Sequence, residues 1–152
     1  MPDSRGKPQY GPYVWKSFAE VDRLAQNFAK GMLSMDIAPE IIGEDKTWRF
    51  VGIWAKNRWE WTNTLIAGMH YKITTVGFYD AQSEEQVDYI IRQTEMTSVV
   101  CTEDYAKRLI TMKGKGLVPS ILKVILVTPP SPDLIQSASA NQIDVFTYDQ
   151  VL

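Results

Sequence analysis

A chain of 152 residues with 45% hydrophobic and 22% charged residues has the balance of a folded globular domain, which excludes an intrinsically disordered polypeptide. Folding at this length buries roughly 68–70% of the surface of the unfolded chain, enough for one real core. Sixteen basic against eighteen acidic residues leave a net charge of −2, so no general attraction to a phosphate backbone exists and nucleic acid is not an expected partner. No apolar run approaches the roughly 20 residues that span a bilayer, and Leu122 to Val127 is already interrupted by Lys123. Residues 1–12 read as a polar extension without a secretory apolar core or an Arg-rich presequence. An intracellular location is therefore expected, cytoplasmic or organellar with mitochondria included, and not secretion.

Tyr13 to Lys16 reads as a first strand, antiparallel beside the first core strand. Ser17-x-x-Glu20 then writes a capping box, and Val21, Leu24, Ala25, Phe28, Ala29 and Met32 continue it as one apolar stripe of a helix ending near residues 31–34. Arg49 to Ala55 is a β-branched and aromatic run. Asn57-x-x-Glu60 opens a second helix, about 57–70, expected to bury Trp61, Leu65 and Met69 while Arg58 and Asn63 point elsewhere. Thr74 to Tyr79 is the next strand. Ser83-x-x-Gln86 starts a third helix, about 83–94, on Val87, Ile90 and Ile91.

Thr97 to Thr102 is followed by a fourth helix, about 103–113, with Tyr105, Leu109, Ile110 and Met112, and with Gly114 where a left-handed end would sit. Leu122 to Val127 reads as another strand. Thr128-Pro129-Pro130-Ser131-Pro132 cannot extend it, so a loop with one helical turn is expected before a last short strand, Ile143 to Tyr148. Strands alternating with helices predict one α/β domain, a mostly parallel sheet of about five strands with helices on both faces. Its body is expected over residues 13–128, with 129–152 as a Pro/Ser-rich linker and terminal strand.

Few residues suggest chemistry. Cys101 lies in an apolar strand, and the single His70 has no base or metal-ligand partner at suitable spacing, so both read as structural. In Asn57-Arg58-Trp59-Glu60-Trp61 a structural reading is preferred to a stacking surface: Asn57 caps, Glu60 completes the box, Trp61 packs and Trp59 covers the sheet edge. Lys107, Arg108, Lys113 and Lys115 complement the end of the fourth helix, and Lys113-Gly114-Lys115-Gly116 lacks the spacing of a P-loop. Glu84, Glu85 and Asp88 suit a helix N-terminus better than an acid/base pair. No strand leads into Gly-x-Gly-x-x-Gly. No catalytic, cofactor-binding or metal-binding residue is assigned.

Gly52-Ile53-Trp54-Ala55-Lys56-Asn57-Arg58-Trp59-Glu60-Trp61, with Val76-Gly77-Phe78-Tyr79-Asp80 downstream, resembles the N-terminal region of long-chain fatty-acid CoA ligases, which are adenylate-forming enzymes. Tyr13 to Val21, Ser83 to Ile91 and Ser98 to Cys101 extend the resemblance in order, over roughly residues 11–128. It implies the fold of the first subdomain of an acyl-CoA synthetase. The family's Ser/Thr/Gly-rich ATP loop, its Tyr-Gly-x-Thr-Glu-like segment, hinge and C-terminal lysine have no counterpart here, so this polypeptide alone is expected to be inactive. ATP, Mg²⁺ and CoA are implied only for a complete parent ligase.

The favoured expectation is a non-catalytic accessory or structural subunit derived from such a ligase, acting through protein–protein contacts. The alternative is an N-terminal fragment of an active ATP-dependent ligase, and a third reading is a stand-alone CoA- or acyl-binding module. Five Trp, five Phe and seven Tyr point to apolar surface that a protein partner or larger assembly would cover, with any peripheral membrane association running through that partner.

Overall fold

Residues 11–152 are described by the computed structural model, and their local periodicities sort them into alternating elements. In chain order these are α1 (Phe18–Ser34), β1 (Ile41–Gly43), β2 (Lys46–Trp48), β3 (Phe50–Trp54), α2 (Trp59–Tyr71), β4 (Thr74–Gly77) and α3 (Glu84–Thr94). They continue with β5 (Ser98–Cys101), α4 (Glu103–Gly114), β6 (Lys123–Leu126), α5 (Pro132–Ala140), β7 (Asp144–Thr147) and α6 (Tyr148–Val151). Of the polar extension expected over residues 1–12, the first ten lie outside the described residues.

Five strands make one parallel sheet in the order β4-β3-β5-β6-β7. Side chains alternate across a strand, so each central strand feeds two cores. Val51, Val100, Ile125 and Val127 join the core beneath α1, α2 and α6. Trp54, Val99, Cys101, Val124 and Leu126 join the opposite core, with Val87 and Ile91 of α3, Leu109 and Met112 of α4, and Leu134 and Ala138 of α5. The α/β architecture with helices on both faces is the one the alternating pattern predicts.

Two of the three expected capping serines and asparagines act as caps, Ser17 with half of its box and Ser83 with all of it. Ser17 Oγ accepts from the Glu20 N–H at 3.2 Å, and Ser83 with Gln86 completes a capping box. The α1 stripe buries Ala25, Phe28, Ala29 and Met32. At its far end Gly31 lies so close to α6 that a Cβ there would sit 1.7 Å from the Val151 carbonyl oxygen, so only glycine fits. Phe28 stacks on Tyr148 at 4.1 Å, fastening the same two helices.

The structure departs from the sequence reading at five places. Tyr13 to Lys16 forms no strand: β4 and β5 occupy both edges of β3, leaving no ladder to join, and Tyr13 and Trp15 stand 96% and 90% exposed. α2 begins at Trp59 with Arg58 as N-cap and no side-chain cap, so Asn57 does not cap. Its buried face is Glu60, Asn63, Thr64, Ala67 and Gly68, whereas Met69 is 72% exposed and Trp61 and Leu65 are half-buried. Small residues win that face because it packs tightly; a Cβ on Gly68 would come within 2.5 Å of the Ile73 carbonyl oxygen.

At the end of α4 the left-handed residue is Gly116, φ 81°, and not Gly114; Lys115 is the C-cap. Residues 132–140 form a nine-residue helix instead of the expected loop with one helical turn, because Ser131 caps it and Pro132 sits in the first turn, where no backbone N–H is needed. The β1–β2 hairpin was not foreseen. Glu44 and Asp45 turn it with φ of 51° and 58°, a two-residue turn of left-handed residues usually built from Asn and Gly.

Candidate functional site

The sheet changes winding direction between β3 and β5. The helix that follows β3 covers one face and the helix that follows β5 covers the other, so their connecting loops part at the carboxyl ends of the strands. Beside that switch point, at the carboxyl ends of β3 and β4, lies a crevice of about 700 Å³ lined by Lys56, Asn57, Trp61, Gly77, Tyr79 and Asp80, among others. A smaller recess, of about 490 Å³, continues from it to the switch point itself, past Arg58, Thr102, Asp104 and Tyr105.

Trp54, fully buried at the end of β3, is the anchor beneath the crevice. Tyr105 stacks on its indole at 4.7 Å, Phe78 lies at 5.4 Å, and the Arg108 guanidinium sits 4.9 Å from the ring centroid. Its indole nitrogen has no hydrogen-bond partner. The β4–α3 loop is drawn over this stack: the Tyr105 hydroxyl donates to Asp80, and Arg108 donates to the Gln82 carbonyl at 2.5 Å. Burial, reinforced by the Asp80 carboxylate, pushes the Tyr105 hydroxyl up to about 12, so it stays a donor throughout the neutral range. Lys56 makes no ion pair among the described residues.

The residues singled out in the sequence are dispersed and committed. Arg58 grips the buried Glu60 carboxylate through two bonds of 2.7 Å and reaches the Val127 carbonyl at 3.3 Å, which ties α2 to the sheet. The hydrogen bond to Glu60 holds the Arg58 pKa above its ordinary value. Trp59 packs edge-on against Tyr148 at 5.6 Å, and Trp61 turns to the crevice. Lys107 pairs with Glu103 at 2.7 Å, Lys115 with Glu84 at 2.9 Å, and Lys113 donates to the Ile121 carbonyl, so the four cations form no common anion site.

Asp88 accepts from the Val118 N–H at 2.6 Å and from Arg92 at 2.8 Å, clamping the α4–β6 turn to α3. Burial works against its charge, but these donors outweigh burial and hold the carboxyl below the usual range. Val118 is held there at φ 45°, a strained conformation for a β-branched residue. Glu85 is held low chiefly by its hydrogen bond with Ser83. His70 bridges to Asp22 at 2.8 Å, joining α2 to α1. Cys101 is fully buried, which pushes its thiol well above the ordinary range. Among the described residues no three His, Cys, Asp or Glu side chains could hold a metal ion, and no helix is long and apolar enough to cross a membrane.

The sequence places Lys56, Tyr79, Asp80 and Tyr105 in named segments but gives none of them a role in a site. Each follows the end of a parallel strand, a signal that becomes usable only when strand order is known.

The family model of the AMP-binding enzyme matches residues 3–148. Long-chain-fatty-acid–CoA ligase 5 of Rattus norvegicus is 30% identical over 137 residues, covering 90% of this chain and 19% of that protein. Peroxisomal acyl-CoA ligase 891 of Penicillium roqueforti (strain FM164) is 28% identical over 123 residues, 80% of this chain and 16% of that one. The chain thus spans about a fifth of the length of the curated relatives it matches. In fold it is similar to the A-PCP didomain of carboxylic acid reductase from Segniliparus rugosus, solved with AMP, with a TM-score of 0.72 at 16% identity over 99% of this chain and 22% of that one. A putative long-chain-fatty-acid CoA ligase from Rhodopseudomonas palustris superposes with a TM-score of 0.65 at 13% identity, over 91% of this chain and 30% of that one. With the ordered sequence segments, the five-stranded parallel sheet and a match over nearly its whole length, the chain belongs to the AMP-binding enzyme family.

Proposed function

We propose that this chain is the opening structural unit of a long-chain fatty-acid–CoA ligase, supplying scaffold and contact surface to the assembly and not its reacting groups. One observation carries this reading: around the crevice Arg58, Arg108 and Tyr105 are spent on holding the fold in place, on Glu60, Gln82 and Asp80 respectively, which leaves Lys56 as the uncommitted cation there among the described residues. The described residues do not fit ATP with Mg²⁺, since they offer neither a glycine-rich phosphate loop nor an acidic cluster. Those groups belong to the remainder of a ligase.

The test is purification of the endogenous chain with native mass spectrometry of whatever accompanies it. Recovery within a longer chain, or with a polypeptide bearing the ATP loop and catalytic lysine, is expected. A stoichiometric complex lacking any adenylate-forming partner would overturn the ligase reading and identify an accessory subunit.

A second reading, direct CoA binding, is favoured by the crevice itself. Its Lys56, without an ion pair among the described residues, and the rings of Trp61 and Tyr79 suit a flat base carrying anionic groups, such as the nucleotide portion of CoA. Isothermal titration with CoA and palmitoyl-CoA decides this, and absence of heat at high protein concentration rejects it.

A further inference from the structure

β4 is bonded to β3 along one side and to no other strand among the described residues. An open edge of this kind is a template for another strand unless charge, proline or a bulge guards it. Thr74, Thr75, Val76 and Gly77 carry neither charge nor proline. Thr74 donates to the Arg49 carbonyl at 2.7 Å and Phe78 to the Ile53 carbonyl at 2.9 Å, so the even-numbered residues face β3. By the alternation of a parallel ladder, Thr75 and Gly77 turn their N–H and C=O groups outward.

We propose that β4 pairs with β4 of a second copy of this chain, antiparallel about a twofold axis through Val76, merging the two sheets into one. The free backbone groups select this register. It sets Thr75 of each copy opposite Gly77 of the other, so every outward donor meets an outward acceptor. A shift of two residues either way brings Ile73 or Tyr79 opposite an outward residue, and both N–H groups are already used, Ile73 on the Gly68 carbonyl and Tyr79 on the Gln82 side chain, each at 2.9 Å. A shift of one residue opposes outward to inward groups.

The selected register is also the one in which charges match. Beyond the ends of the ladder, the twofold brings Lys72, exposed in the left-handed cap of α2, to the same end as Asp80 of the other copy, in the turn after β4, and the symmetry repeats the approach. Asp80 uses only one carboxylate oxygen on Tyr105, leaving the other for the lysine. Val76 meets its own copy on the axis as a closely spaced, non-hydrogen-bonded pair, which suits its half-buried apolar side chain.

Sedimentation equilibrium of the purified full chain tests this, with three variants. The wild type is expected to populate a dimer at micromolar concentration. Lys72→Glu replaces two attractions with two repulsions at exposed positions and raises the dissociation constant about tenfold. Thr75→Pro removes an outward N–H and gives a monomer whose circular dichroism is unchanged. Val76→Cys, with Cα atoms about 4.5 Å apart across the axis, forms an intermolecular disulfide under a mild thiol oxidant, while the buried Cys101 of the wild type gives none. A wild type that stays monomeric at hundreds of micromolar overturns the proposal. So does a dimer that ignores Lys72→Glu or fails to cross-link through Val76→Cys.

Discussion

Removing one oxygen atom from the interface of α2 and α6 should destabilise the whole domain. Tyr148 is 3% exposed, and its hydroxyl accepts from the Asn63 side-chain amide at 2.8 Å while lying 3.4 Å from Thr64 Oγ1 and from the Glu60 carbonyl. Thr64 keeps its stronger bond to the Glu60 carbonyl, at 2.7 Å, in Tyr148→Phe. Asn63 does not fare as well. Its Oδ1 already lacks a partner, and the substitution leaves its amide nitrogen buried and unbonded too. An orphaned buried donor costs about 1–3 kcal/mol, and with ring packing against Phe28 unchanged that term dominates.

At roughly 2–4 °C per kcal/mol for a domain of this size, a loss of about 2 kcal/mol lowers Tm by about 4–8 °C. Urea unfolding followed by tryptophan fluorescence should show the lower midpoint at unchanged m value. Asn63→Leu combined with Tyr148→Phe removes both polar partners and should recover most of the loss. Wild-type stability in Tyr148→Phe, or strictly additive effects in the double variant, would refute the reasoning.

The same residue carries an alkaline signature. Burial raises the Tyr148 hydroxyl to about 12 despite its Thr64 and Asn63 hydrogen bonds, so the folded state holds its proton longer than the unfolded state. Its stabilisation is therefore complete below about pH 10 and is lost as pH rises toward about 12, a slope that Tyr148→Phe should reduce.

Asp88→Ala releases the strained Val118 turn and two charge-assisted hydrogen bonds, and should cost about 1.5–3 kcal/mol in chemical denaturation at neutral pH. Because the folded carboxyl lies below its ordinary value, that contribution is present at neutral pH and disappears on acidification below about pH 4, where variant and wild type should converge. Gly31→Ala would gain about 1 kcal/mol in a free helix, yet here its Cβ meets the Val151 carbonyl oxygen, so thermal denaturation should show net destabilisation. Deleting residues 133–152 removes the buried Leu134, Ile143, Tyr148 and Val151 and uncovers β6; at about 1.5–3 kcal/mol each, the loss should leave no cooperative unfolding transition in calorimetry.

Helices were legible in the sequence wherever their signals are local. Ser17 and Ser83 announce caps within four residues, and the spacing from Ala25 to Met32 is itself the buried stripe. Strand order is not local. Tyr13 to Lys16 has the composition of a strand, but the edge it would need is taken. α2 misled because apolarity ranks Leu65 and Met69 above Asn63 and Gly68, whereas close packing and a buried hydrogen bond decide which face turns inward. The prolines before α5 read as breakers until Ser131 and Pro132 are taken together as cap and first turn. The crevice was invisible for a different reason: three loops supply it, and no spacing within one segment encodes a meeting of Lys56, Asp80 and Tyr105.

The stack of Phe28 on Tyr148 sets a constraint in time as well as in space. These rings lie about 120 positions apart, so the stripe of α1 waits, incompletely covered, until α6 has formed and docked. A contact so remote adds loop-closure entropy to any route that forms it early. During synthesis α1 leaves the ribosome well before α6 and is sealed only when α6 docks, which makes its apolar face a surface in need of protection by a chaperone.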